Sequence, residues 1–148
     1  MDGEINGKVK DLRSALKRLE GIPGQLIETD VEVEPMAELA GVYRHVGAGG
    51  TCMRPTKEGP AMIFNRIKGH PGARVAIGVL ASRSRVAALL GCEAHDLGKR
   101  LYGCVSHPVE PVVVSGPALC QEVVHLASEP GFDLRRLIPA PTNTPDDA

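Results

Sequence analysis

Glycine and proline interrupt this chain so often that its helices and strands must be short. The 148 residues include 17 Gly and 12 Pro, well above the average usage of about 12% for the two together. Hydrophobic residues nevertheless make up 43% of the chain, and aromatic residues make up only 3%. The sequence therefore predicts a folded domain with many turns, whose core consists of Val, Leu, Ile and Ala.

The charge of the chain is close to neutral, because 17 Lys and Arg residues stand against 18 Asp and Glu residues. The two signs are interleaved and few aromatic residues are available to stack on bases, so we expect no nucleic-acid partner. No stretch approaches the roughly 18 consecutive apolar residues of a membrane-spanning helix. The charged start, MDGEINGKVK, lacks the apolar core of a secretory signal, so we expect a cytoplasmic protein with reduced cysteines.

Hydrophobic periodicity predicts the elements of the first half of the chain. Apolar residues at helical spacing predict an amphipathic helix over 9–19, whose face could dock on a partner or cover its own sheet. Between 26 and 33, mostly apolar residues alternate with acidic ones. This alternation predicts a half-buried strand with an acidic outer face and with Ile27 and Val31 turned inward. Pro35 suits the first turn of the helix that follows.

The second half of the chain continues the mixture of helices and strands. The predicted elements are strands over 61–67 and 74–80, a helix capped by Ser82, a helix over 96–103, strands over 112–114 and 122–126, and a helical turn over 133–138. In the helix that Ser82 caps, Val86 and Leu89 are expected to face the core, and Arg83 and Arg85 to face solvent. This pattern indicates an α/β or α+β layered domain.

Cysteine and histidine are the candidates for metal chemistry, with four and five copies respectively. Cys92 with His95, and Cys104 with His107, have the short spacing of zinc-ligand pairs. Leucines at helical spacing run through the same stretch, whereas structural zinc sites place such pairs on turns. The interpretation as ordinary structural residues is therefore favoured over a zinc site.

Two further motifs are weak. Gly47, Gly49 and Gly50 could present backbone amides to a phosphate, but they follow a predicted helix and match no phosphate-binding motif. Asp146 and Asp147 could bind a cation, although adjacent carboxylates near a chain end are usually solvated. By local chemistry the sequence predicts no catalytic, cofactor-binding or metal-binding residue.

Three long strings nevertheless resemble a known family. They are ETDVEVEPMAELAGVYRHVGAGG at 28–50, RPTKEGPAMIFNRIKGHPGARVAIGVLASRSRVAALLG at 54–91 and FDLRRLIPAPTNTPDDA at 132–148. Their order and their Gly and Pro punctuation resemble the amino-terminal part of the UbiD-family decarboxylases. The likeness is greatest to the gallate and protocatechuate (3,4-dihydroxybenzoate) decarboxylases, and it extends from about Asp11 to the last residue.

The resemblance implies a non-oxidative decarboxylase of hydroxybenzoate-type aromatic acids, a carboxy-lyase that uses prenylated FMN with a divalent metal (Mn) and K⁺. A UbiX-type flavin prenyltransferase supplies that cofactor and becomes an implied partner. The family places an Arg and two Glu around the substrate, and Asn, His and Glu around the metal and phosphate. All of them lie downstream of the point matching 142–148, so none is carried over to this chain.

The resemblance therefore predicts the amino-terminal mixed-sheet domain of the UbiD-like fold, lacking the split-barrel flavin-binding domain. We expect residues 1–139 to form this domain and 140–148 to form a truncated linker at the start of the flavin-binding region. Alone, the domain is expected to bind no cofactor, to be inactive, and to expose an apolar patch near 138–141 that the missing carboxy-terminal part would cover. The alternative is a non-catalytic interaction or oligomerisation module derived from that domain.

Overall fold

Five helices and three strands make up the regular structure of the described residues, which are 9–48 and 58–141 of a computed structural model. The helices are α1 (Leu12–Glu20), α2 (Glu38–Ala48), α3 (Arg83–Leu90), α4 (Leu97–Ser106) and α5 (Leu134–Leu137). The strands are β1 (Leu26–Thr29), β2 (Ala61–Phe64) and β3 (Val75–Ile77). Short 3₁₀ turns lie at Ala94–Asp96 and Leu119–Gln121. No helix in these ranges is long and apolar enough to cross a membrane.

The three strands form a mixed sheet in the order β1-β2-β3. β1 runs parallel to β2, with Leu26 opposite Ala61, and β3 runs antiparallel to β2, with Ile77 opposite Met62. Parallel neighbours need a crossover connection, and α2 lies between β1 and β2 in the chain. The prediction of an α/β domain with a mixed sheet is confirmed.

The central strand β2 is buried along its whole length. Met62 and Phe64 belong to the main hydrophobic cluster, whose buried members are Val33, Leu39, Met62, Phe64 and Ile67. Side chains of α2 and β3 pack against that cluster. Because successive side chains of a strand point to opposite faces, the buried Ala61 and Ile63 lie on the other face of the sheet. The central strand is thus covered on both faces.

Helix α1 packs against its own domain. It contacts β1 and α3, and its residues Ala15 and Leu19 are buried. The predicted helix over 9–19 is therefore confirmed, with its start at Leu12 after the N-cap residue Asp11. Its apolar stripe covers this domain, which is the second of the two interpretations that the sequence left open.

The N-cap of α1 gives the stability of this helix a pH dependence. Ser14 donates its backbone N–H and its hydroxyl to Asp11 Oδ1 at 2.7 and 2.8 Å, and these bonds lower the pKa of Asp11 below its usual 3.8. A lowered folded-state pKa means that the cap stabilises α1 above the unfolded pKa and is lost as the pH falls through the folded pKa. In Asp11→Asn the amide still caps the helix but does not titrate.

We therefore expect the thermal midpoint of the natural chain to fall more steeply than that of Asp11→Asn on going from about pH 5 to about pH 2. Thermal unfolding followed by circular dichroism at several pH values measures this difference. Parallel pH profiles for the two proteins would show that Asp11 makes no pH-dependent contribution.

Strand β1 is shorter than its sequence pattern predicts. It ends at Thr29, whose hydroxyl accepts a hydrogen bond from Val31 N–H in the turn that follows. Ile27 lies opposite Met62 of the main cluster and is on the core face as predicted, but Ile27 and Val31 are both exposed, so their predicted burial is wrong. The reason is that β1 lies at the edge of the sheet, and only Val33, which bridges to Ile67, reaches the core.

The predicted position of Pro35 in the first turn of a helix is also wrong. Helix α2 begins at Glu38, after Ala37, which has a φ of 61° in the left-handed region. The Glu38 carboxylate accepts a hydrogen bond from Glu34 N–H at 2.7 Å. Pro35 therefore lies in a turn that this hydrogen bond closes. α2 ends at Ala48, beside the predicted glycine stop.

Several predictions for the second half hold and two fail. The helix over 96–103 is confirmed as α4, and the turn over 133–138 is confirmed as α5. The strands over 61–67 and 74–80 are confirmed in part, as β2 and β3, each shorter than predicted. The predicted strands over 112–114 and 122–126 are not strands, since no strand of the described ranges pairs with them. Their residues favour a strand, but no neighbouring strand is present to pair with them.

Gly78 follows β3 and has a positive φ of 75°. A Cβ at this position would overlap the Tyr43 ring. We expect Gly78→Ala to lower the free energy of unfolding by about 3 kcal/mol, from left-handed backbone strain plus overpacking. Gly72, with a φ of 78° and no atom within 4 Å of a built Cβ, is the matched control, and Gly72→Ala should cost only about 1 kcal/mol. Urea unfolding measures both values. Equal losses of unfolding free energy in the two variants would show that the contact with Tyr43 is not the cause of the effect.

Candidate functional site

Arg85 is the buried charged residue of the described chain, and the prediction that it faces solvent is wrong. Only 1% of its surface is exposed. Its Nε donates to Gln25 Oε1 at 3.2 Å, its Nη1 donates to the Gly78 carbonyl at 2.5 Å, and its Nη2 donates to the Gly59 carbonyl. Burial lowers the pKa of the Arg85 guanidinium from its usual value.

The contacts of Arg85 give it an architectural role. Gln25 precedes β1, Gly59 precedes β2 and Gly78 follows β3, so one guanidinium joins the ends of all three strands to α3. The rigid fork of arginine suits several acceptors at once. The predicted Ser82 cap, whose hydroxyl accepts a hydrogen bond from Arg85 N–H at 3.2 Å, is confirmed and fixes the start of this helix.

A cluster of polar side chains lies where β1 and β2 end. Asn65 Nδ2 donates to Asp30 Oδ1 at 2.9 Å, and Arg74 Nε donates to Asn65 Oδ1 at 2.7 Å. Arg74 also forms an ion pair with Glu28 at 3.5 Å. The acidic alternation in 26–33 was the sequence signal for this cluster. Because these groups are exposed and satisfy one another, they tie the strand ends together at the surface.

The possible zinc ligands do not come together. His95 Nε2 lies 3.3 Å from Asp96 Oδ2, and His107 Nδ1 lies 3.3 Å from the Gly103 carbonyl. No group of three or more His, Cys, Asp or Glu side chains within 9–48 and 58–141 is arranged to hold a metal ion. Cys92 and Cys104 are free thiols. That these Cys and His residues are ordinary structural residues and do not form a zinc site stays a prediction.

Two adjoining surface cavities lie beside α3 and α4, with volumes of about 500 and 480 Å³. Gly91 and Cys92 line both of them, Arg18 lines the first, and Lys99 and Arg100 line the second. Arg18 Nε donates to the Ala88 carbonyl at 2.6 Å, which directs it toward α3. Of the glycine motif, Gly47 lies within α2, and Gly49 and Gly50 lie outside the described residues, as do Asp146, Asp147 and Cys52.

Comparison with known families decides the relationship. The model of the 3-octaprenyl-4-hydroxybenzoate carboxy-lyase N-terminal domain matches residues 17–104. The chain belongs to the UbiD family. The match includes all three strands and helices α2 and α3, so the fold described above is the fold of the UbiD amino-terminal domain.

Relatives of this UbiD domain include decarboxylases. The chain is 51% identical over 139 residues to the gallate decarboxylase of Lactiplantibacillus plantarum, a match that covers 93% of this chain. It is 56% identical to the 3,4-dihydroxybenzoic acid decarboxylase of Enterobacter cloacae, whose apo structure matches 94% of this chain with a TM-score of 0.81. The UbiD-class enzyme HmfF from Pelotomaculum thermopropionicum, solved in complex with prFMN, is 25% identical with a TM-score of 0.70.

The chain spans less than a third of these relatives, 28% of the gallate decarboxylase and 29% of the Enterobacter chain. Among the described residues, no three acidic, His or Cys side chains are arranged to hold a divalent metal. The cavities beside α3 and α4 are lined by charges of both signs, Arg18 with Glu93 in the first and Lys99 and Arg100 with Asp96 in the second. That the chain carries no catalytic or cofactor-binding residue of its own stays a prediction.

Proposed function

We propose that this chain supplies the amino-terminal domain of a prenylated-FMN-dependent decarboxylase of hydroxybenzoate-type aromatic acids, and that the domain alone has no turnover. The observation that carries the proposal is its identity of 51% to a gallate decarboxylase over 93% of the chain. The 56% identity to a 3,4-dihydroxybenzoic acid decarboxylase, with a TM-score of 0.81, supports the same substrate class.

The cofactor enters the proposal through the relatives. HmfF, whose fold this chain shares, is solved in complex with prFMN. In such enzymes the cofactor supplies the chemistry and the protein supplies orientation and proton transfer. We assign the prFMN, Mn and K⁺ sites to the part of the enzyme that corresponds to the remaining 72% of the gallate decarboxylase, since this chain spans 28% of it. A UbiX-type prenyltransferase is the proposed source of the flavin, in the cytoplasm.

The domain contributes a rigid scaffold. Its parallel β1 and β2 are covered by α2 and joined at one end by Arg85. We place the domain at 1–139 and the beginning of the flavin-binding region at 140–148. The alternative of a docking module that uses the stripe of α1 loses its support, because Ala15 and Leu19 of that stripe are buried in this domain.

A chimera tests the proposal. Residues 1–141 of this chain replace the matching part of the Lactiplantibacillus gallate decarboxylase, and the protein is produced together with a flavin prenyltransferase. We expect the chimera to release carbon dioxide from gallate or 3,4-dihydroxybenzoate and the chain alone to release none. Turnover by the chain alone would contradict the assignment of the active site to the remainder.

A further inference from the structure

We draw no further inference here: the strongest candidate, the exposed apolar face of α4 formed by Leu101, Tyr102 and Val105, is an unpartnered helix face, and nothing in the structure shows what covers it.

Discussion

Replacing Arg85 by methionine is expected to lower the free energy of unfolding of this domain by about 3 kcal/mol, because it leaves buried acceptors without donors. Two backbone carbonyls, of Gly59 and Gly78, and the Gln25 side chain accept from the Arg85 guanidinium. Methionine retains most of the side-chain volume, so the loss reports the hydrogen bonds more than a cavity. Urea unfolding followed by circular dichroism gives the value.

Arg83 provides the matched control, since it lies two residues earlier on α3 and is exposed. Arg83→Met should change the free energy of unfolding by less than about 0.5 kcal/mol, as surface substitutions usually do. Arg85→Lys retains the charge but loses the planar guanidinium with its several donors. Its free energy of unfolding should therefore lie between those of the natural chain and Arg85→Met. A shared unfolding midpoint for Arg83→Met and Arg85→Met would show that Arg85 does not hold the strand ends together.

Local signals were sufficient to predict most of the helices. Ser82 caps α3 because a hydroxyl in front of a helix satisfies a free amide, and this preference is readable from sequence. Helical spacing identifies the apolar face of α1, so the position of Leu19 in the core could be predicted. The strands β2 and β3 were recognisable from apolar runs, although their ends depend on neighbours that the sequence does not reveal.

Features that depend on distant contacts were not predictable. The burial of Arg85 requires three acceptors that lie 7 to 60 residues away in the chain, and helix periodicity places a charged residue in solvent by default. The polar cluster of Asn65 and Arg74 likewise depends on how the strand ends meet. The strands expected over 112–114 and 122–126 have the right residues, but a strand also needs a partner backbone.

One feature explains both the lack of a predicted site and the specific family resemblance. The recognisable strings contain the scaffold of the domain: β2 and Arg85 both lie within 54–91. These residues build the core and the hydrogen bonds of Arg85, so they identify the family through its scaffold. The apolar patch near 138–141 stays a prediction; Ile138 is 47% exposed, and the most exposed valines lie at 109–113.

Carbon dioxide release by the chimera, measured beside its parts, tests the central claim most directly. The three samples are the chimera, this chain alone and the remainder of the gallate decarboxylase alone, each produced with a flavin prenyltransferase and supplied with gallate or 3,4-dihydroxybenzoate. We expect turnover by the chimera and none by either part, because each part lacks what the other supplies. A folded, flavin-loaded chimera that leaves both acids unchanged would contradict it.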